Sequence, residues 1–388
     1  MSIASIALPR ILRIGGGASK ELPAVLATLG LARPLIVTDA FLLGSGRVEA
    51  LVGGLAAAGI AARVFADTVP DPTVASVDAG VACLREGEHD CVVGFGGGSP
   101  LDSTKAIAVL GEHGGAMAGY KAPHVQDAPG LPVIAIPTTA GTGSEATRFT
   151  IITDEVTDEK MLCPGLAYLP VAALVDYELT FTKPRRLTAD TGIDSLTHAI
   201  EAYVSKRANP FSDGMALLAM RAIAPNLRRV CRDPMDAAAR EAMMLGATQA
   251  GIAFSNSSVA LVHGMSRPIG AHFHVPHGLS NAMLLPAVTA WSAPAALHRY
   301  ADCARAMGVA DETEGDQAAV ARLLDELAAL NRELEVPGPA AWGIDAARWD
   351  ALVPTMCAQA AASGSPANNP RVPDAEEMAM LYAQVWAG

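Results

Sequence analysis

The feature that most constrains the fold is a repeated alternation of short apolar runs with amphipathic segments over roughly the first 180 residues. We predict strands at 33–39, 62–67, 91–98 and 132–139, with helices over 44–60, over 72–88 and from Ser99 onward. Strands that are apolar throughout are buried on both faces, which is typical of a parallel sheet covered by helices. Ligands of such sheets bind beyond the carboxyl ends of the strands. The sequence therefore predicts an α/β domain with a ligand site at that edge.

The character of the sequence changes after residues 180–192. Beyond this stretch the strand-like runs disappear, and the remaining segments are predicted helices interrupted by Pro and Gly. A chain of 388 residues is also too long for one compact core. We predict an α/β domain at 1–182 and an all-α domain at 183–388, with residues 362–373 forming a loop between the last two helices.

Composition excludes several classes of function. A net charge of −12 argues against a nucleic-acid partner, because nothing would neutralise phosphates over a broad face. The six cysteines are scattered without a C-x-x-C pair, which indicates reduced thiols and not a disulfide framework or a zinc knuckle. No stretch approaches the eighteen or so apolar residues of a membrane span, and the first residues lack the basic-then-apolar order of a secretory leader. We expect a cytoplasmic protein with no membrane partner.

Two glycine-rich turns suit a phosphate-bearing ligand. GGGSPLDSTKA (96–106) follows a predicted strand and opens a helix, and TTAGTGSEAT (138–147) ends the next strand with added hydroxyls. Glycines let the backbone approach a phosphate, and a helix N-terminus offers unpaired N–H groups. Either turn alone is also compatible with an ordinary strand-to-helix turn or cap. Two such turns on neighbouring strands favour a dinucleotide over a single phosphate.

Asp39 ends the first clear strand. A carboxylate there can accept hydrogen bonds from the ribose of an adenosine and would repel a 2′-phosphate, which favours NAD over NADP. The alternative is that Asp39 only caps the helix that follows.

Histidines and one aspartate form a candidate metal site in the second domain. Asp194 and His198 are four residues apart in a predicted helix, so they lie on one face and can hold one ion. His263 and His277 come from a second segment, in which four of the nine histidines fall within fifteen residues. Three imidazoles and a carboxylate suit Fe²⁺ or Zn²⁺, among other divalent ions. His272 and His274 are expected to support the ligands and not to bind directly.

Taken together, these segments resemble the iron-containing (group III) alcohol dehydrogenases over nearly the whole chain. The shared motifs are GGGSPLDSTKA, PTTAGTGSEAT, the helix of Asp194 and His198, His263, HVPHGLSNAMLLP and ANNPR. The resemblance implies a dehydroquinate synthase-like fold, with a Rossmann-like α/β domain and a helical domain. It implies a dimer or a larger homo-oligomer, and it implies that Asp194, His198, His263 and His277 are the metal ligands.

The same resemblance implies two further groups of residues. Those expected to contact the dinucleotide are Asp39, Gly97, Gly98, Ser99, Thr138, Thr139, Thr142, Lys160 and Leu179. Phe149 and Phe254 are expected in the substrate pocket.

Arg267 departs from the family pattern. Many relatives carry a histidine four residues after the third ligand, where it is thought to relay protons or hold the nicotinamide. An arginine cannot relay protons near neutral pH, because its pKa is above about 12. Arg267 is therefore either paired with an acidic residue at the domain interface or placed to hold a substrate carboxylate by a bidentate pair.

Three functions remain open from the sequence. The first is metal-dependent, NAD-linked oxidation of alcohols and reduction of aldehydes, with hydroxy acids as substrates if Arg267 anchors a carboxylate. The second is the lyase chemistry of dehydroquinate synthase, which would need a cationic pocket that the basic residues do not obviously form. The third is a non-catalytic metal or nucleotide binder, which the dinucleotide turns beside the metal motif disfavour.

Overall fold

The computed structural model describes residues 3–387, which divide into two compact units. One unit is Ile6–Thr182, and the other begins at Lys183 and includes residues 3–5. No helix among residues 3–387 is both long and apolar enough to span a membrane.

The first unit is built on a parallel sheet, as predicted. The strands are β1 Ile11–Ile14, β2 Pro34–Asp39, β3 Arg63–Thr68, β4 Cys91–Gly96, β5 Val133–Pro137, β6 Phe149–Asp154, β7 Glu159–Pro164 and β8 Ala172–Val175. The sheet has the order β1-β8-β5-β4-β2-β3, and β6 and β7 form a separate antiparallel hairpin. The helices are α1 Leu22–Leu29, α2 Ala40–Gly44, α3 Arg47–Ala57, α4 Val74–Arg85 and α5 Gly98–His113.

Helices cover both faces of this sheet, which is why its central strands are apolar throughout. On β2, Leu35 and Val37 pack in one core with α4 and α5, whereas Ile36 packs in the opposite core with α1 and α3. Successive side chains of a strand point to opposite faces, so a strand buried on both sides shows no polar alternation.

The second unit is helical throughout its regular elements, also as predicted. Its helices are α6 Arg185–Val204, α7 Pro210–Arg232, α8 Ala237–Ser255, α9 Leu261–Phe273, α10 His277–Ser292, α11 Leu297–Ala306, α12 Asp316–Glu333, α13 Pro339–Trp342, α14 Ala346–Ala362 and α15 Ala375–Ala387. The predicted loop after α14 contains a short 3₁₀ turn at Pro366–Asn368. In this turn Asn368 donates from Nδ2 to Ser258 Oγ at 2.8 Å, which ties the loop to the residues before α9.

Candidate metal centre and dinucleotide turns

The helical unit brings together the four residues that the sequence singled out as metal ligands. Asp194, His198, His263 and His277 each offer one donor atom, and these atoms all lie within 4.8 Å of one another. His263 Nε2 is 3.5 Å and His277 Nε2 is 3.8 Å from Asp194 Oδ1. Bonds of about 2.0–2.2 Å to one ion place neighbouring donors at about this spacing.

Three helices supply these side chains. Asp194 and His198 are one turn apart in α6, whereas His263 lies in the first turn of α9 and His277 begins α10. The start of α10 can approach α6 because residue 278 is glycine. A Cβ added at Gly278 would lie only 2.5 Å from the carbonyl oxygen of Asp190 and 3.3 Å from Asp194 Cβ.

Burial and mutual contact set the charges of the cluster. Burial lowers the pKa of His198 to about 3, so its imidazole is neutral, as a metal ligand must be. Burial opposes ionisation of Asp194, but its contacts with the three histidines, including a hydrogen bond with His263, together outweigh burial and hold the pKa of Asp194 below its ordinary value. The cluster is thus a carboxylate surrounded by imidazoles, which attracts a cation.

Ring packing fixes the histidines, and one side of the cluster remains open. The His198 ring stacks on His263 at 4.3 Å between centroids and on Phe254 at 4.4 Å. The His277 side chain is 33% exposed, whereas those of Asp194 and His263 are nearly inaccessible. The side of His277 is therefore the accessible side of the cluster.

Asn281 indicates where a cation fits. Its Nδ2 donates to Asp194 Oδ1 at 2.6 Å and lies 3.1 Å from His263 Nε2 and 3.3 Å from His277 Nε2. A hydrogen-bearing nitrogen thus faces the lone pairs of three donors. The set of one carboxylate and three imidazoles, without a thiolate, fits a borderline divalent ion such as Fe²⁺ or Zn²⁺.

Sequence reasoning missed Glu201 and Asn281, although their spacing carries a signal. Glu201 is three residues after His198 on the same face of α6, and Asn281 is one turn after His277 in α10. Conversely, His272 does not support the cluster: its Nε2 is 2.8 Å from Gln359 Oε1. His274 is the left-handed residue that ends α9.

In the α/β unit, the two glycine-rich turns meet at the carboxyl edge of β4 and β5, which pair in parallel. A Cβ at Gly98 would lie 2.8 Å from Thr142 Cγ2, and one at Gly97 would lie 3.4 Å from Thr139 Cγ2. No side chain caps the start of α5, so the N–H groups of Gly98 and Ser99 remain available to an anion.

A buried hydroxyl also points to a ligand at these turns. Thr138 is fully buried, and its Oγ1 has no hydrogen-bond partner within residues 3–387. Buried polar atoms without a partner are rare in folded proteins, so this hydroxyl fits a site that holds a polar group.

The remaining residues that the resemblance implies at the dinucleotide, and Phe149 of the implied substrate pocket, lie elsewhere in the α/β unit. Asp39 Oδ1 accepts from the backbone N–H of Leu42 at 2.8 Å, so this side chain does cap α2. Lys160 Nζ is 2.6 Å from Asp71 Oδ1. Leu179 lines a cavity of about 360 Å³ beside Phe95 and Arg47. Phe149 is partly buried at the start of β6.

Comparison with known proteins matches both parts of this chain to one family. The family model of the iron-containing alcohol dehydrogenases matches residues 9–177, and that of the C-terminal part of the Fe-containing alcohol dehydrogenase family matches residues 188–386. The chain is 39% identical to long-chain-alcohol dehydrogenase 1 of Geobacillus thermodenitrificans, over 87% of this chain and 86% of that protein. It is 36% identical to the NAD-dependent methanol dehydrogenase of Bacillus methanolicus, over 95% and 96%. The crystal structure of a 1,3-propanediol oxidoreductase matches with a TM-score of 0.94 at 33% identity, covering 99% of this chain and 100% of that one.

Proposed function

Because the chain belongs to the iron-containing alcohol dehydrogenase family, we propose that it is a metal-dependent, nicotinamide-linked dehydrogenase of alcohols that also reduces aldehydes. The observation that carries this proposal is the convergence of four donor atoms from three helices within 4.8 Å. A cluster with one open side is typical of a catalytic metal site, whereas structural sites are closed.

Each part of the chain has a distinct task in this reaction. Asp194, His198, His263 and His277 would hold the ion, and Phe254 packs on the ring of His198. The turns at Gly97–Ser99 and Thr138–Thr142 would bind the pyrophosphate of the dinucleotide. When bound, the ion supplies Lewis acidity to the substrate oxygen and the nicotinamide supplies a hydride acceptor.

A variant pair tests the metal assignment. His263→Ala removes a donor from the cluster, so we expect loss of bound metal and of nearly all turnover of simple alcohols with NAD. His272→Ala is the matched control, because it removes a histidine of the same helix that contacts Gln359 instead. Metal content and kcat/KM are measured after reconstitution with Fe²⁺, Zn²⁺, Mn²⁺ or Ni²⁺. A full complement of metal in His263→Ala would remove that residue from the site, and absence of turnover in the reconstituted wild type would favour a lyase or a binding protein.

We also propose NAD in preference to NADP and Fe²⁺ as the ion, with Zn²⁺ as the next candidate. The Asp39 carboxylate supports the first choice, since capping of α2 uses Oδ1 and leaves Oδ2 to accept from a ribose hydroxyl. The donor set supports the second without separating the two metals. A cytoplasmic location, a homodimer, and places for Lys160 and Leu179 at the dinucleotide and for Phe149 at the substrate stay predictions.

A second candidate substrate class is a hydroxy acid or its semialdehyde, because of Arg267. Its Nη1 donates to Ser365 Oγ at 3.0 Å, whereas its Nε is buried without a partner. Among the described residues no carboxylate lies within ion-pair distance of this guanidinium, in contrast to the acidic partner that the sequence left open. Burial lowers the pKa of Arg267 to about 10, so it still carries a charge at neutral pH. The guanidinium is partly buried, and Glu201, the acid that raises its pKa, is bonded to the start of α9. A cation that has no direct ion pair among residues 3–387 favours an anionic ligand.

Arg267→Met tests this substrate class. A charge-assisted bond contributes about 1.5–3 kcal/mol, so kcat/KM for 4-hydroxybutyrate should fall about ten- to a hundred-fold more than kcat/KM for 1-butanol. Arg240→Met is the control, because Arg240 is a buried arginine of the same unit that is bonded to the Pro234 carbonyl and to Thr188. Equal losses on the acid and on the alcohol would show that Arg267 is not a carboxylate anchor.

A further inference from the structure

Glu201 is a buried carboxylate. It belongs neither to the four candidate metal ligands nor to the two glycine-rich turns. It is 3% exposed and lies in α6, seven residues after Asp194 and three after His198. Carboxylates are almost never fully buried unless they are paired. Its partners therefore decide what it does.

All of its hydrogen bonds go to the start of α9. The carboxylate accepts from the backbone N–H of Ala260 at 2.9 Å and of Val262 at 2.6 Å, and it lies 3.4 Å from the N–H of His263. Ala260 precedes α9 and offers no side-chain cap, so Glu201 serves as the cap from another helix. A carboxylate is also favoured there by the helix dipole.

The same carboxylate holds the ring of His263. Its Oε2 lies 2.7 Å from His263 Nδ1. A carboxylate only accepts, so Nδ1 must carry the hydrogen, and the lone pair of a neutral ring is then on Nε2. Nε2 is the atom that faces Asp194 Oδ1 at 3.5 Å and Asn281 Nδ2 at 3.1 Å.

We propose that Glu201 is a positioning residue for the metal centre: it selects the His263 tautomer that exposes Nε2 to the divalent ion, and it fixes α9 so that this nitrogen meets the donors of α6. This inference rests on the proposed metal-dependent function. Carboxylate partners of metal-bound histidines orient the ring and strengthen it as a ligand, and their loss typically weakens metal binding about 10–100-fold. One side chain of α6 thereby orients a ligand of α9 directly beside the two ligands that α6 supplies itself.

Glu201→Gln separates this role from a purely structural cap. Glutamine keeps an oxygen for the N–H groups at the start of α9 but removes the charge beside His263. We expect Co²⁺ and Zn²⁺ affinities of the folded protein to fall about 10–100-fold, with a changed visible spectrum of bound Co²⁺. Glu326→Gln is the matched control, because it makes the same substitution at a carboxylate that pairs with Arg228. Thermal unfolding of the metal-free proteins is measured alongside.

The outcomes are distinct. A Glu201→Gln protein that unfolds at a lower temperature but binds both ions as wild type does would overturn the proposal and leave Glu201 as a cap. If the wild type itself binds neither ion, the proposed function fails instead. If Glu201→Gln does not fold, nitrogen NMR of the zinc-loaded wild type decides, with the His263 ring signals assigned through their correlation with its own backbone signals. We expect hydrogen on Nδ1 and metal on Nε2, and the reverse pattern would overturn the proposal.

Discussion

Asp39 combines an observed structural role with a proposed role in cofactor specificity. Its Oδ1 caps α2, and its Oδ2 makes no hydrogen bond with residues 3–387. The two interpretations that the sequence left open, a cap and a ribose acceptor, are thus compatible. In the proposed role the negative charge would discriminate against a 2′-phosphate, whereas the oxygen alone makes the cap.

A pair of substitutions at Asp39 follows from this division. Asp39→Asn keeps the capping oxygen and removes the charge, so the ratio of kcat/KM for NAD to that for NADP should fall about tenfold or more, corresponding to roughly 1.4 kcal/mol. Asp39→Ala should change the ratio similarly but should also lose about 0.5–2 kcal/mol of stability with the cap. Steady-state kinetics with both cofactors and denaturant unfolding measure the two effects. A wild type that already prefers NADP would contradict the role given to Asp39.

Some residues of the candidate metal centre could be predicted from the sequence, and others could not. Asp194 and His198 follow from helical spacing, because residues four apart share a face whatever the fold. Glu201 and Asn281 did not follow, since a glutamate or an asparagine on a helix is usually solvated, and only tertiary packing buries these two. The contact of Arg267 with Ser365 could not be predicted either, because contacts between distant segments are not encoded in local spacing.

At the scale of elements, the sequence predicted the central strands, which are buried and apolar throughout, and also the half-exposed strand β3. β2, β4 and β5 correspond to predicted runs, and α5 begins at Gly98, within a residue of its predicted start. The edge strand β1 has an exposed end, β8 is only four residues long, and the hairpin of β6 and β7 is partly exposed. Short or half-exposed strands lack a strong periodic pattern, so their identity depends on the neighbours with which they pair.

The close approach of α10 to α6 leaves no room for a side chain at residue 278. Gly278→Ala would place a methyl group against the backbone of Asp190, so α10 must shift and carry His277 away from the cluster. We expect a loss of about 1–3 kcal/mol of stability and weaker binding of Zn²⁺. Gly214→Ala in α7 is the control, because no atom lies within 4 Å of the added methyl and alanine should stabilise that helix by up to about 1 kcal/mol. Equal behaviour of the two variants would contradict the close approach.

Lys105 of α5 forms hydrogen bonds with the first residue of the β6–β7 hairpin and with the segment just before it. Its Nζ donates to the carbonyl and hydroxyl oxygens of Thr147 at 3.1 and 2.9 Å and to the Phe149 carbonyl at 2.9 Å. The side chain is fully buried, with Asp102 4.0 Å away and Glu145 as the other nearby acid. Burial lowers the pKa of Lys105 to about 8 despite these two acids.

The lowered pKa of Lys105 predicts a stability change in alkaline solution. Between about pH 8 and 10.5 the unfolded chain binds more protons at this residue than the folded one, so stability rises with pH across that window. Relative to Lys105→Met, which cannot titrate there, the wild type should gain roughly 3 kcal/mol of unfolding free energy across it. The difference between the two proteins cancels the titration of other groups, and denaturant unfolding at several pH values measures it. A difference that stays flat would show that Lys105 keeps its ordinary pKa when buried.

At the scale of the whole molecule, the candidate metal centre and the glycine-rich turns belong to different units. Every donor of the candidate metal centre lies after Lys183, whereas both glycine-rich turns lie before Thr182. The family models divide in the same way, one matching residues 9–177 and the other 188–386. The sequence says nothing about subunit assembly, which depends on surface complementarity.

This separation predicts where bound metal changes the dynamics. An ion that binds only the folded protein stabilises it by about 2.7 kcal/mol at a free concentration of one hundred times its Kd. Since the donors belong to α6, α9 and α10, added Zn²⁺ should slow hydrogen exchange in those helices, with little effect on the strands β2, β4 and β5. Mass spectrometry of peptides from metal-free and zinc-loaded protein measures this. His263→Ala should abolish the response and His272→Ala should retain it, whereas slowing that is equal in both units, or that persists in His263→Ala, would contradict a metal site confined to the helical unit.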